Sequence, residues 1–201
     1  MFDFGDFPTL HTDRLTLRQI VHADAPGVFR IRGDYEVTRL NSGAAYTSME
    51  QAHELIAVMK MNYDDKSVVR WGITHKTDET NVNANVIPDV IGICGYNHWH
   101  RTDRRGSIGY DLARAHWRQG IMREAISAIL TFGFDQMNLN RVEADSSAEN
   151  VASIALLKSL GFQYEGKQRE QYYDNDTFHD LELYSLLLTE WQRGLGAFTV
   201  G

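Results

Sequence analysis

The segment that decides the fold is Ile108–Met137, which reads IGYDLARAHWRQGIMREAISAILTFGFDQM. Apolar residues alternate at its start, and this pattern predicts a strand over Ser107–Leu112. After Gly120 they recur every three or four residues, which predicts a helix with one apolar face. Because such a face is buried against a neighbouring layer, the segment indicates a strand followed by a helix that covers a sheet.

The start of this helix is suited to binding an anion. The first four N–H groups of a helix have no partner within it, and the helix dipole adds partial positive charge there. Gly120 lets a ligand approach these N–H groups, while Arg118 and Arg123 add two full charges. The turn therefore predicts a phosphate or pyrophosphate site. A strand, a glycine turn and a basic helix start also occur without a ligand, so the turn alone leaves both interpretations open.

A second informative segment follows at Asn140–Phe162 and reads NRVEADSSAENVASIALLKSLGF. It predicts a strand over Arg141–Ser146 and then a helix from about Asn150 to Leu160, which Gly161 ends. The two segments together form a strand–helix–strand unit. Its strands are expected to be parallel and joined by a right-handed crossover.

Three short motifs link these segments to a known family. They are Thr12-Asp13-Arg14-Leu15-Thr16-Leu17-Arg18, Trp117-x-x-Gly120 followed by Glu124-Ala125, and Asn150-x-x-Ser153 closing with Leu160-Gly161-Phe162. In this order they resemble the GNAT superfamily of acetyl-CoA-dependent N-acetyltransferases. The first motif is similar to the ribosomal-protein alanine/serine N-terminal acetyltransferase subfamily. The resemblance extends from about Leu10 to Trp191, which is nearly the whole chain.

The predicted elements make a mixed α/β (α+β) fold. Further strands are predicted over residues 14–18, 67–74, 90–98, 164–173 and 178–188. Further helices are predicted over residues 24–32 and from the capping box Thr47-x-x-Glu50 to about Asp64. The expected GNAT-like architecture has a mostly antiparallel sheet of about seven strands, with one parallel strand–helix–strand unit and about four flanking helices.

We expect one acetyltransferase domain over residues 1–201, because this length fits one domain and no linker or repeat interrupts it. Residues 1–9 are predicted to be a loose lead-in, and residues 192–201 a C-terminal tail. Residues 76–89 are rich in asparagine and lack apolar periodicity, which predicts a flexible hairpin extension.

Composition excludes several classes of protein. The net charge of −7 argues against indiscriminate nucleic-acid binding, which depends on positive charge. No apolar run reaches membrane-spanning length, and the start of the chain lacks the basic region of a signal peptide. The single cysteine, Cys94, permits no internal disulfide and fits a reducing compartment. We expect a cytoplasmic protein without nucleic-acid or membrane partners, whose acidic charge suits a cationic amine or solubility alone.

The resemblance implies a binding site for acetyl-CoA as co-substrate. A backbone N–H near Asp111 or Leu112 is expected to stabilise the thioester oxygen, and the two parallel strands are expected to splay around the pantetheine arm. Gly109 suits a bulge in the first of these strands, or close packing on Tyr164 or a neighbour. The residues implied in coenzyme binding are Tyr110, Asp111, Leu112, Arg118, Gln119, Gly120, Ile121, Met122, Arg123, Asn150 and Ser153.

Asn150 is either only the cap of its helix or also a partner of the pantetheine amide, and the two roles are compatible. The general acid is less clear. Many family members carry a tyrosine four residues after the position of Ser153, where this chain has Leu157. Ser153 is then the nearest hydroxyl, suited to orienting a water or the sulfur.

The general base is left open among several residues. Relatives often carry a glutamate where this chain has Ser107. Glu143 and Asp145 share one face of their strand, and His98 and His100 end another strand. An α-amine with a pKa of about 7.7–8.0 is already partly neutral at pH 7, so water ordered by one of these side chains suffices. The predicted catalytic residues are Ser153, Glu143 and His98.

His98 and His100 also permit a metal interpretation, with Asp103 or His116 as a third ligand, but no spacing signature supports it and no metal is expected. The leading hypothesis is acetylation of a protein N-terminal α-amine. The alternatives are acetylation of a small amine (a polyamine, an amino acid or an antibiotic), or coenzyme A binding without turnover. A homodimer is left open, because relatives often dimerise.

Overall fold

One sheet with helices on both faces forms the framework of the protein. The computed structural model describes residues 2–40, 43–76, 89–174 and 176–198. The strands are β1 (Leu10–His11), β2 (Leu15–Arg18), β3 (Arg70–His75), β4 (Gly92–His100), β5 (Arg105–Leu112), β6 (Arg141–Ser147), β7 (Gln163–Asp174) and β8 (Thr177–Leu187). The helices are α1 (Ala25–Arg32), α2 (Tyr35–Thr38), α3 (Met49–Asp64), α4 (Ile121–Asp135), α5 (Val151–Ser159) and α6 (Leu188–Phe198).

The eight strands lie side by side in the order β1-β2-β3-β4-β5-β6-β8-β7. Neighbouring strands are antiparallel except β5 and β6, which are parallel. Helix α4 connects these two strands, since a parallel pair needs a crossover rather than a tight turn. The predicted mixed α/β fold with its parallel unit is confirmed. The described residues form eight strands and six helices, more than were expected because β1, α2 and α6 went unpredicted.

The sheet separates two apolar cores. The larger core includes Ile129 of α4, and the smaller one includes Val28 of α1 and packs on the opposite face of the sheet. Side chains alternate along a strand, so Ile93 of β4 lies in the smaller core while its neighbour Cys94 lies in the larger one. Each residue of β4 and β5 therefore faces either α4 or the layer of α1 and α3.

The beginning of the chain packs on the larger core. Phe4 is only 8% exposed, and its ring centroid lies 5.1 Å from that of Tyr63. The indole Nε1 of Trp71 donates a hydrogen bond to the carbonyl oxygen of Pro8 at 2.6 Å. The prediction of a loose lead-in over residues 1–9 is therefore wrong for the described part, because its aromatic side chains are held by others distant in sequence.

Helix bounds differ from the predictions in two places. The predicted tail over residues 192–201 is helical up to Phe198, as part of α6. Helix α3 begins one residue later than predicted, because its N-cap is Ser48 and the Gln51 side chain accepts from the Ser48 N–H at 3.1 Å. Of the predicted extension over residues 76–89, residues 77–88 lie outside the described part. None of the described helices has the length and apolar character needed to cross a membrane.

Candidate active site

A cleft opens where the two parallel strands separate. Strand β5 pairs with β6 only from Arg105 to Ser107, opposite Arg141 to Glu143. Beyond these pairs β5 continues to Leu112 and β6 to Ser147 without pairing to each other. The separation is the splay that the family resemblance implied, and it leaves one side of the second half of β5 without a neighbouring strand.

Two peptide groups of β5 point into this cleft. The Ala113 N–H donates to the carbonyl oxygen of Ile91 at 2.9 Å, on the side of β4. Since successive peptide groups of a strand alternate in direction, those of Tyr110 and Leu112 point to the opposite side. The Leu112 carbonyl oxygen accepts a hydrogen bond from Trp117 Nε1 at 2.8 Å, which leaves the N–H groups of Tyr110 and Leu112 as donors towards the cleft.

The bulge beside the cleft lies on β4 rather than on β5. The register between the two strands shifts between Tyr96 and His98, so Asn97 is the extra residue. A Cβ at Gly109 would lie 2.6 Å from Asn97 Nδ2, so any larger residue would have to displace the asparagine side chain. The expectation of a bulge at Gly109 is thus replaced by its alternative, close packing on a neighbour, and that neighbour is Asn97.

The turn before α4 presents backbone N–H groups to solvent. Gly120 is the N-cap and has a left-handed φ of 74°, and Arg118 has a φ of 59°. Arg118, Gln119, Gly120 and Arg123 are exposed, whereas the side chains of Ile121 and Met122 are buried in the core. Ile121 and Met122 can therefore offer a ligand only their peptide groups.

A carboxylate braces this turn against the start of β2, a function that the sequence did not reveal. Glu124 accepts hydrogen bonds from the Thr12 hydroxyl at 2.6 Å and from the Arg14 backbone N–H at 2.9 Å, and it pairs with Arg14 Nε at 2.7 Å. Partial burial acts to raise the pKa of Glu124, but these hydrogen bonds outweigh it and the pKa is lowered. The Arg14 guanidinium also donates to the carbonyl oxygen of Gln119 at 3.0 Å, which holds the glycine turn in place.

The start of α5 is linked to β5 by side chains. Asn150 Oδ1 accepts a hydrogen bond from the Ser153 N–H at 3.1 Å, so Asn150 is the helix cap. The Ser153 hydroxyl lies 2.8 Å from the Tyr110 hydroxyl. Burial raises the pKa of Tyr110 to about 12, so its hydroxyl stays protonated at neutral pH. Leu157 is fully buried and has no access to the cleft.

Glu143 lies at the last pair of β5 and β6 and is held by two arginines. Its carboxylate accepts from Arg141 Nε at 2.8 Å and from Arg105 Nη1 at 3.3 Å. Arg141 also pairs with Glu165 on β7. These contacts tie the Glu143 carboxylate to β5 and β6, so its oxygens are engaged in holding the two arginines.

Asp145 lies two residues further along β6, beyond the last pair with β5. It is exposed, yet the loss of hydration in the cleft raises its pKa, while a backbone hydrogen bond and the charge of His98 act in the opposite direction. His98 is exposed on β4 and sits opposite Ser107, the β5 residue that pairs with Glu143. The structure thus brings His98 near Asp145 across the width of β5.

The structure places Asp103, His116 and Cys94 in contact with other side chains or in the core. Asp103 pairs with Arg105 at 3.5 Å, and the ring of His116 lies 5.3 Å from that of His75. No group of three or more His, Cys, Asp or Glu side chains in the described ranges is arranged to hold a metal ion. Cys94 is fully buried, and burial raises the pKa of its thiol to about 12.

The carboxylate of Asp111 points away from the face of β5 that packs on α4. It is buried on the face that carries α1, where its Oδ2 accepts from Arg32 Nη1 at 3.1 Å. Its peptide group points towards β4, by the alternation that directs those of Tyr110 and Leu112 into the cleft. Of the three β5 residues implied in coenzyme binding, Tyr110 and Leu112 therefore face the cleft and Asp111 does not.

Comparison with known proteins agrees with this architecture. Residues 14–163 match the acetyltransferase (GNAT) domain. The N-acetyltransferase YoaA of Bacillus subtilis is 36% identical over 181 residues, which cover 90% of this chain and 97% of YoaA. The N-acetyltransferase p20 of Bacillus licheniformis is 37% identical over 184 residues, which cover 91% of this chain and 98% of p20. The solved structure of RimL, a ribosomal α-N-protein acetyltransferase in complex with coenzyme A, has the same fold, with a TM-score of 0.77 and 18% identity over 90% of this chain and 98% of RimL. The chain therefore belongs to the GNAT acetyltransferase family and is an N-acetyltransferase.

Proposed function

We propose that this protein transfers the acetyl group of acetyl-CoA directly to the α-amine of a protein N-terminus. The observation that carries the proposal is the cleft between β5 and β6, which opens beside the glycine turn of α4. Two backbone donors in the cleft and several at the turn are available to one extended ligand. A narrow arm with amide groups and a pyrophosphate at one end fits this arrangement.

Each part of the coenzyme site has a distinct task. The N–H groups after Gly120 hold the pyrophosphate, and the exposed Arg118 and Arg123 add charge. The N–H groups of Tyr110 and Leu112 bind the pantetheine amides and stabilise negative charge on the acetyl oxygen. Asn150 keeps Ser153 in place as the helix cap. The coenzyme supplies an acetyl group activated as a thioester, and the chain supplies position and hydrogen bonds.

The residues that accept the amine proton and those that stabilise the departing sulfur lie on different sides of the cleft. Asp145, whose pKa is raised by loss of hydration, accepts the proton of the amine, directly or through water ordered with His98. Glu143 positions Arg141 and Arg105 and is a poor candidate for the same task. The Ser153 hydroxyl, with Tyr110 as its protonated neighbour, donates a hydrogen bond to the departing sulfur. A thiolate with a pKa of about 8.5 needs no stronger acid.

The choice of an α-amine acceptor rests on chemistry and on similarity. An α-amine is partly neutral at pH 7, whereas a lysine side chain with a pKa of about 10.4 needs a stronger base than the site displays. RimL acts on the α-amine of a ribosomal protein and shares this fold. Acetylation of a small amine is the second candidate, and the same cleft supports it.

The proposal is tested by measuring thiol release from acetyl-CoA with a panel of N-terminal peptides, free amino acids and polyamines. We expect turnover with peptides that carry a free α-amine and none with the same peptides blocked at the N-terminus. Turnover confined to small amines would favour the second candidate. Coenzyme A binding without turnover on any acceptor would contradict catalysis of this kind.

A further inference from the structure

Two arginines and one carboxylate form a cluster on the sheet face that carries α1 and α3. Arg70 of β3 and Arg32 of α1 flank Asp111 of β5, and Arg32 Nη1 donates to Asp111 Oδ2 at 3.1 Å. The Arg32 guanidinium also lies 5.4 Å from the centre of the Tyr46 ring. Arg70 Nη1 donates to Asn97 Oδ1 at 2.7 Å. We call Arg32, Arg70 and Asp111 the arginine cluster.

The arginine cluster has unused hydrogen-bond donors. The Nε atoms of Arg32 and Arg70 are both buried, and neither has a hydrogen-bond partner among the described residues. A buried charged donor without a partner is costly, so such an atom calls for an acceptor. Asp111 compensates one of the two positive charges. Among the described residues, the Arg70 guanidinium donates a hydrogen bond only to the neutral Asn97 amide, although the net charge of the chain is −7.

The arginine cluster adjoins the cleft. Asp111 lies between Tyr110 and Leu112, whose peptide groups point into the cleft. Arg70 is in register with Gly95 of β4, which is in register with Gly109 of β5. No side chain stands on these two glycine positions between Arg70 and the open edge of β5, although the Asn97 amide reaches over Gly109. An acceptor amine in the cleft would place its next groups against this surface.

The chemistry of the arginine cluster selects an anion. Guanidinium groups present paired N–H donors in a plane and bind carboxylates with two parallel hydrogen bonds. Loss of hydration lowers the pKa of Arg70 and the charge of Arg32 acts in the same direction, while Asp111 opposes both. A carboxylate bound beside Arg70 would supply the missing negative charge. A polyamine would instead meet repulsion here.

We propose that Arg70 and Arg32 bind a carboxylate of the acceptor, so that the enzyme prefers N-terminal peptides with an acidic residue at the second position. This inference rests on the proposed function for the position of the amine. A free amino acid offers the same chemical group through its α-carboxylate. Peptides and amino acids therefore form separate arms of the test.

The test compares peptide pairs that differ only by glutamate or glutamine at the second position, and each free amino acid with its amide. For the parent enzyme we expect kcat/KM to be about tenfold to a hundredfold higher for the glutamate peptide, mainly through KM. In Arg70→Gln the ratio between the two peptides should fall towards one, and Arg70→Lys should restore part of it. Arg30→Gln, which removes an exposed arginine of α1 that pairs with exposed Asp89, should keep the parent's ratio.

Binding is measured in parallel by calorimetry, with the same peptides added to the full chain loaded with coenzyme A. Tighter binding of the glutamate peptide that Arg70→Gln abolishes would support the inference even if no peptide is acetylated, in which case only the proposed function fails. A preference for the amino acid over its amide, without one between the peptides, would assign the site to a free α-carboxylate and overturn the peptide preference. Equal binding and turnover of each charged and neutral pair would overturn the inference as a whole. Unchanged coenzyme A affinity in Arg70→Gln and Arg70→Lys shows that the variants are folded.

Discussion

The two halves of β6 carry the same chemical group in opposite surroundings. In the half that pairs with β5, Glu143 accepts hydrogen bonds from Arg105 and Arg141. In the half that leaves β5, Asp145 stands beside the cleft and its pKa is raised by loss of hydration. The side chains lie on one face of the strand, two residues apart. The difference between them comes from the separation of the strands.

In the proposed mechanism, one strand supplies both a structural and a reactive carboxylate. Guanidinium groups hold a carboxylate in its charged form, and loss of hydration disfavours that form. Pairs of carboxylates with divergent surroundings often divide their tasks in this way. We therefore assign proton transfer to Asp145 and the support of the sheet to Glu143 with its arginines.

The largest effect is expected from Asp145→Asn. Removing the proton acceptor should lower kcat about a hundredfold or more, because a general base contributes roughly 10²–10⁴. The measurement is initial-rate thiol release with a peptide acceptor. Glu143→Gln is the matched control and should cost less than about tenfold, since this residue only positions its neighbours. Equal losses in the two variants, or a larger loss in Glu143→Gln, would reverse the assignment.

A second test asks whether the glycine turn beside the cleft receives the coenzyme. Gly120→Val places a β-branched residue at a left-handed φ of 74°, which costs about 1–2 kcal/mol and blocks approach to the helix start. We expect the Kd for coenzyme A, measured by calorimetry, to rise roughly tenfold or more. Gly166→Val changes another positive-φ glycine, with no atom within 4 Å of its added Cβ, and should leave this Kd unchanged. An unaltered Kd in a folded Gly120→Val protein would move the pyrophosphate elsewhere.

The contribution of the Tyr110–Ser153 contact to catalysis is tested by Tyr110→Phe. This change removes the hydroxyl 2.8 Å from Ser153 and should lower kcat about threefold to tenfold, as expected for one hydrogen bond. Tyr164→Phe, at an exposed tyrosine of β7, is the control. The rates are best compared at saturating acetyl-CoA. An undiminished kcat would show that Ser153 acts without Tyr110.

The smallest expected effect compares Glu165 of β7, which pairs with Arg141 in the paired half of β6, with Asp145 in the open half by their response to pH. Hydrogen bonds from Arg141 and Ser185 lower the pKa of Glu165 to about 2, so the stability that this carboxylate contributes is present above its unfolded pKa and is lost as the pH falls towards 2. The raised pKa of Asp145 has the opposite effect on stability: its charged form is less favourable in the folded protein, so ionisation of Asp145 destabilises the fold. Glu165→Gln should therefore lower the Tm at pH 7 and flatten its fall in acid.

Asp145→Asn should leave the Tm at pH 7 unchanged or slightly higher, although it removes activity. In the parent, kcat/KM calculated for the neutral form of the α-amine should still fall on the acid side, at a pH above the ordinary aspartate pKa of about 3.9. Thermal unfolding from pH 2 to pH 8, followed by circular dichroism, supplies the stability data. A lower Tm for Asp145→Asn would place this residue with the structural carboxylates.

The sequence alone predicts the strand–helix–strand unit, the glycine turn before α4 and the helix cap at Asn150. Each depends on a pattern within about one element: the spacing of apolar residues, the need for a left-handed φ, or a side chain that accepts from a nearby N–H. The separation of β5 from β6 was expected from family resemblance alone. No residue pattern in either strand predicts it. Gly109 left a bulge or close packing open, and the structure shows close packing on Asn97, the bulged residue of β4.

Only the tertiary structure decided which carboxylate is held and which is open. The partners of Glu143 come from two strands, and Arg32 meets Asp111 across 79 residues of chain. The aromatic residues at the chain start are likewise ordered by Tyr63 and Trp71, which lie far away in sequence. Local patterns reveal hydrogen bonds and faces within an element, because both follow from backbone geometry. The surroundings of a charge depend on which strands become neighbours, and strand order together with register sets them in the folded protein.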